Sequence, residues 1–104
     1  MKVIADLCVI PMGVGVSVSE HVAACQRVLE EARLEFRVHA YGTNIEGEWD
    51  EVLAAVKRCH ELLHDSGVAR ISSSIEIGTR TNHAQSLDDK VRSVQPKHAS
   101  GQIE

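Results

Sequence analysis

Apolar and polar positions alternate along residues 2–10. Val3, Ala5, Leu7 and Val9 fall on one side, and Lys2, Ile4, Asp6, Cys8 and Ile10 on the other. A period of two predicts a strand, and its second face is mixed rather than cleanly polar. Pro11-Met12-Gly13-Val14-Gly15 ends it in a loop. The period then lengthens: Val22, Cys25, Val28, Leu29 and Ala32 recur at helical spacing, behind the capping pattern Ser17-Val18-Ser19-Glu20, and predict a helix to about Arg33. Alternation returns over 35–41, with Phe36, Val38 and Ala40 against Glu35, Arg37, His39 and Tyr41. Gly42 breaks the run and Thr43-Asn44-Ile45-Glu46 returns, so 35–46 reads as a hairpin. From Glu48 to about Asp65 the stripe Trp49, Val52, Leu53, Val56, Cys59 and Leu63 predicts a second helix. Glu48, Asp50 and Glu51 favour the positive end of its dipole, and Ser66-Gly67 closes it. Residues 68–78 alternate most clearly, Ala69, Ile71, Ser73, Ile75 and Ile77 against Arg70, Ser72, Ser74 and Glu76. Leu87, Val91 and Val94 predict a short third helix ended by Pro96, and a polar tail over 97–104 that frays.

The order β-α-β-β-α-β, with both main helices amphipathic, predicts an α+β ferredoxin-like sandwich: an antiparallel sheet with two helices on one face and an added short C-terminal helix. Ile4 and Ile10 would then lie on the uncovered face. Leaving each wet forgoes about 1.5–3 kcal/mol, so self-association as a homodimer or a larger oligomer is expected.

Composition narrows the function. The 104 residues suit one domain over 1–104 with a modest core. The net charge is −4 and the basic residues are scattered, which argues against nucleic acid as a partner. No apolar run approaches a membrane span, and the N-terminal residues do not form a signal peptide. The three cysteines, Cys8, Cys25 and Cys59, form no C-x-x-C pair and read as reduced thiols of a cytoplasmic protein.

Candidate chemistry concentrates in Tyr41-Gly42-Thr43-Asn44-Ile45-Glu46-Gly47-Glu48-Trp49, which holds two of the chain's three aromatic residues. Thr43 and Glu46 could present hydrogen-bonding groups beside the wall of Trp49, as a small polar heteroaromatic ligand requires. Each also has a structural reading, since T-x-x-E is a capping-box order and Trp49 heads the apolar stripe. His60-Glu61-Leu62-Leu63-His64 matches the zinc motif H-E-x-x-H, but a catalytic zinc needs a third ligand, for which His83 is the nearest candidate. No nucleophile elbow, P-loop or dinucleotide fingerprint is present, and no cofactor is expected. The helix start at Ser17 could hold a small anion.

Pro11-Met12-Gly13 before a capped helix, Gly42-Thr43-Asn44-Ile45-Glu46-Gly47-Glu48-Trp49, Ser74-Ile75-Glu76-Ile77 with Arg80, and Asp89-Lys90-Val91 with Val94 resemble the small thiamine-binding-like family over residues 3–95. The resemblance implies a ferredoxin-like fold, homo-oligomers that are commonly tetramers, and non-covalent binding of thiamine or a related pyrimidine without catalysis. It implies that Thr43, Glu46 and Trp49 serve the ligand and that Arg80 is the family's basic residue after the last strand. The family usually has Lys at the position of Glu76 and Asp at that of Gly78, so Glu76 reverses a charge. Two alternatives stand beside this reading: an oligomer that senses sulfate or phosphate at Ser17 or Arg80, and, more remotely, a metal-dependent enzyme using His60 and His64.

Overall fold

The computed structural model describes residues 1–13, 19–81 and Leu87. Its elements are β1 (Lys2–Met12), α1 (Ser19–Glu31), β2 (Glu35–His39), β3 (Gly42–Glu48), α2 (Trp49–Asp65) and β4 (Arg70–Thr79). The strands form one sheet in the order β2-β3-β1-β4, with every neighbouring pair antiparallel. This is the ferredoxin-like arrangement: each helix carries the chain between two parallel strands that flank a third. Ser17 of the expected cap, His83, Val91 and Val94 of the expected third helix, and the tail over 97–104 lie outside the described residues.

The alternation read in the sequence fixes which face is covered. Val3, Ala5, Leu7 and Ile45 meet Leu29, Val52, Cys59 and Leu63 of the helices, all at 3% exposure or less. The other face carries Ile4, Asp6, Cys8, Ile10 and Met12 from β1. By register it also carries Asn44 and Glu46 from β3, Glu35 and Arg37 from β2, and Arg70, Ser72, Ser74 and Glu76 from β4.

Several boundaries differ from expectation: β2 ends at His39 and β4 spans Arg70–Thr79, and the ends of β1 and β3 differ for a tertiary reason. β1 runs through Pro11 to Met12 because β4 supplies partners as far as Arg70. Its pairing with β3 stops at Leu7, so Cys8–Met12 have β4 on one side and no strand on the other among the described residues. A proline is tolerated on such an edge. β3 starts at Gly42 and continues past Glu46 to Glu48, because β1 pairs with it down to Lys2. The helix predicted to reach Arg33 ends at Glu31.

Both helices close in the same way. Gly67 (φ 106°) follows α2, with Gly67 N–H donating to His64 O and Val68 N–H to Leu63 O. Arg33 (φ 58°) follows α1, with Arg33 N–H donating to Glu30 O and Leu34 N–H to Leu29 O. These are Schellman closures, and the hydrophobic residue that ends each one, Val68 or Leu34, is buried.

Candidate functional site

Strand parity divides the Gly42–Trp49 motif. Thr43, Ile45 and Gly47 face the helices, whereas Asn44 and Glu46 face the open side, opposite Asp6 and Ile4. Thr43 and Glu46 therefore project from opposite faces of the sheet. Trp49 begins α2, donates its backbone N–H to Met1 O at 2.8 Å and packs against the core. At the rise of a strand it lies roughly 20 Å along the chain from Thr43. An offset of three residues in an extended strand reverses the side-chain direction, so Thr43 and Glu46, two residues of the expected pocket with Trp49, stand on different faces of the sheet.

The two glycines of the motif have packing roles. A Cβ at Gly42 would stand 2.6 Å from the Leu7 carbonyl oxygen, and one at Gly47 would stand 2.5 Å from Leu34 Cδ2. Neither has a positive φ, so close approach rather than backbone freedom calls for glycine at both.

Glu46 is occupied. Its Oε2 accepts the Leu87 N–H at 3.0 Å and lies 3.9 Å from Lys2 Nζ, with the side chain only 15% exposed. Leu87 itself is buried. The carboxylate thus holds Leu87 against the open face, a role that capping-box spacing did not indicate. Glu76 stands opposite Asp6 on that face and Gly78 opposite Ile4. Arg80 is exposed just past β4 and has an interaction within the chain.

Thr43 instead lines a cavity of about 410 Å³ that the sequence did not reveal. Leu7–Pro11 of β1 form its floor, His21, Val22, Cys25, Gln26 and Leu29 of α1 one wall, and Val38–Thr43 of the hairpin its lip. It opens where β1 outruns β3. Its lining is mostly apolar, with Thr43, His39, Tyr41, His21 and Gln26 supplying polar groups. Two lining side chains are more exposed than their size favours: Tyr41 at 87% and Val38 at 50%. The cavity becomes visible only when strand lengths are known.

The lip is held by a short polar network. His39 Nε2 lies 2.6 Å from Asp6 Oδ1, and His39 Nδ1 accepts the Tyr41 N–H at 3.3 Å. With Nδ1 an acceptor, the proton of the neutral ring sits on Nε2 and donates to Asp6. Asp6 thereby joins the centre of the sheet to the turn beside Thr43.

The H-E-x-x-H histidines are engaged elsewhere. His60 Nε2 lies 2.6 Å from Ser73 Oγ, and His64 Nδ1 donates to Val68 O at 2.7 Å. Both tie α2 to β4 and the turn before it. Among the described residues no three His, Cys, Asp or Glu side chains form a metal-holding group. The three cysteines are free thiols. Cys59 donates towards Cys25 O at 3.9 Å. Its hydrogen bond to the Cys25 sulfur holds the Cys25 thiol below the ordinary range, while that bond and burial push Cys59 up.

Comparison with known proteins agrees with this fold. A family profile described as thiamine-binding protein matches residues 5–95. A UPF0045 protein of Synechocystis is 63% identical over 95 residues, spanning 91% of this chain and 78% of its own. A UPF0045 protein of Eremothecium gossypii is 37% identical over 98 residues, 93% of each chain. The crystal structure of a hypothetical protein from Methanocaldococcus jannaschii superposes with a TM-score of 0.84 at 31% identity, covering 98% of both chains.

Proposed function

We propose a non-catalytic, small-molecule-binding function from one premise: the chain belongs to the thiamine-binding protein family. The ligand is thiamine or a related pyrimidine, and its site is the cavity between α1, the free edge of β1 and the hairpin lip. The observation that carries this reading is the cavity itself. Its volume of about 410 Å³ lies within the range of small-ligand sites, and its few polar groups stand on a mostly apolar wall, as a planar heteroaromatic needs. Thr43, the motif residue that reaches it, offers a hydroxyl able to donate to a ring nitrogen or accept from an amino group. Glu46 and Trp49 support the frame around the site, the first through Leu87 and the second through the core. Arg80 stands past the end of β4, away from the lip.

Binding without catalysis fits the side chains present. His39, a titratable group at the lip, has both ring nitrogens engaged, so that ring is not a ready general base. Isothermal calorimetry with thiamine and with hydroxymethylpyrimidine tests the reading. A saturable heat with at least one of them is expected, and a flat trace with both up to millimolar concentration contradicts it.

The protein acts as a homodimer or homotetramer in the cytoplasm on this reading. Ile10 and Met12 lie on the open face at 48% and 42% exposure. Covering such a face is the usual outcome for apolar surface, and free thiols suit a reducing compartment.

A further inference from the structure

Tyr41 is the most exposed of the large hydrophobic side chains among the described residues, at 87%. It stands with Ala40 in the turn between β2 and β3 and lines the cavity. Its backbone is fixed where its side chain is not. The Tyr41 N–H donates to His39 Nδ1 at 3.3 Å, and His39 Nε2 is tied to Asp6 of the central strand at 2.6 Å. With only two residues in the turn, that tie holds the root of the ring at the lip. Phe36 and Trp49, the chain's other two aromatic residues, pack against the core, so Tyr41 is the aromatic side chain left to meet a ligand. The apolar wall across from it is built mainly of aliphatic side chains such as Leu7, Val9, Val22 and Leu29. Such a wall takes one face of a flat ring and leaves the other wet. A tyrosine ring can cover that second face in an offset stack, and swinging it inward fixes only two side-chain torsions.

Resting on the binding function given above, we propose that Tyr41 is a ligand-contacting residue whose ring closes over the outer face of a planar heteroaromatic seated in the cavity. Closing removes the ring and the ligand face beneath it from water together. The phenol hydroxyl, at the far end of the ring, stays at the rim and keeps water as its partner. A cationic ring such as a thiazolium gains further attraction from the same aromatic face.

The test uses the full chain, with thiamine and hydroxymethylpyrimidine as probes. Each is titrated by calorimetry against wild type, Tyr41→Ala and Tyr41→Phe, and the proton spectrum of the bound probe is recorded. Because the side chain is exposed, Tyr41→Ala is expected to keep the wild-type thermal midpoint. It should bind whichever probe the wild type binds roughly three- to tenfold more weakly, and Tyr41→Phe should recover most of that loss. The pyrimidine ring proton of the bound probe is expected upfield of its free position with wild type and Tyr41→Phe. With Tyr41→Ala most of that shift should vanish, a change that a structural role for Tyr41 would not produce. Equal affinity of Tyr41→Ala and wild type, or an upfield shift that survives in Tyr41→Ala, overturns the proposal and leaves binding in the cavity standing. So does an equal loss in Tyr41→Phe, which would assign the effect to the hydroxyl. Weaker binding of Tyr41→Ala together with a changed oligomeric mass overturns it too, by making Tyr41 a subunit contact. A wild type that binds neither probe overturns both this contact and the binding function on which it rests.

Discussion

Gly42 and Gly47 sit five residues apart in one strand, yet they meet different obstacles. The atom nearest a Cβ at Gly42 is a backbone oxygen of the central strand, whereas at Gly47 it is the tip of the Leu34 side chain. A backbone fixed on both sides by hydrogen bonds yields less than a side-chain methyl. Gly42→Ala is therefore expected to destabilise the fold by about 1–3 kcal/mol, and Gly47→Ala by less. Urea unfolding midpoints of the two variants measure the difference, and an equal or reversed ranking would show that the Leu7 carbonyl can move. The same contact bears on the site, since Gly42 also approaches Asp6 Oδ1, the partner of His39. Pushing the turn away from β1 would loosen the lip as well as the sheet.

At the scale of elements, α1 and α2 end in the same hydrogen-bond pattern, but only α2 has glycine at the left-handed position. Arg33 holds φ 58° without it, at a cost of about 1 kcal/mol. Arg33→Gly is expected to raise stability by up to about 1 kcal/mol, seen as a higher thermal midpoint. A fall would mean that the arginine side chain contributes more than its backbone costs. This end of α1 was misplaced in the sequence reading for the same reason: Ser66-Gly67 announces a helix end, and Ala32-Arg33-Leu34 does not. Strand existence, facing and order were legible because alternation survives in β1 and β4 and because two amphipathic helices need one sheet face. The ends of β1 and β3 were not, since each is set by how far a neighbouring strand runs. The cavity was the feature least legible for this reason. Thr43-Asn44-Ile45-Glu46 looked like a cluster while its parity was left out, and the cavity depends on β1 overrunning β3, a relation between segments about 35 residues apart in sequence.

For the whole molecule, the sheet face opposite the helices and the β1 edge past Leu7 are the features that the described residues leave least covered. Native mass spectrometry is expected to find dimers or tetramers; a monomer at micromolar concentration would contradict the assembly. The central claim is that the family's ligand sits in the cavity with Thr43 rather than on the open face with Glu46. The most direct measurement compares the affinity of thiamine or hydroxymethylpyrimidine for Thr43→Val and for Glu46→Gln by calorimetry, once each variant is shown to be folded. Losing one hydrogen bond to a neutral group costs about 0.5–1.5 kcal/mol, so Thr43→Val should bind roughly three- to tenfold more weakly. Glu46→Gln should bind as the wild type does. Abolished binding in Glu46→Gln, with Thr43→Val unaffected, would contradict the account and move the ligand to the other side of the sheet.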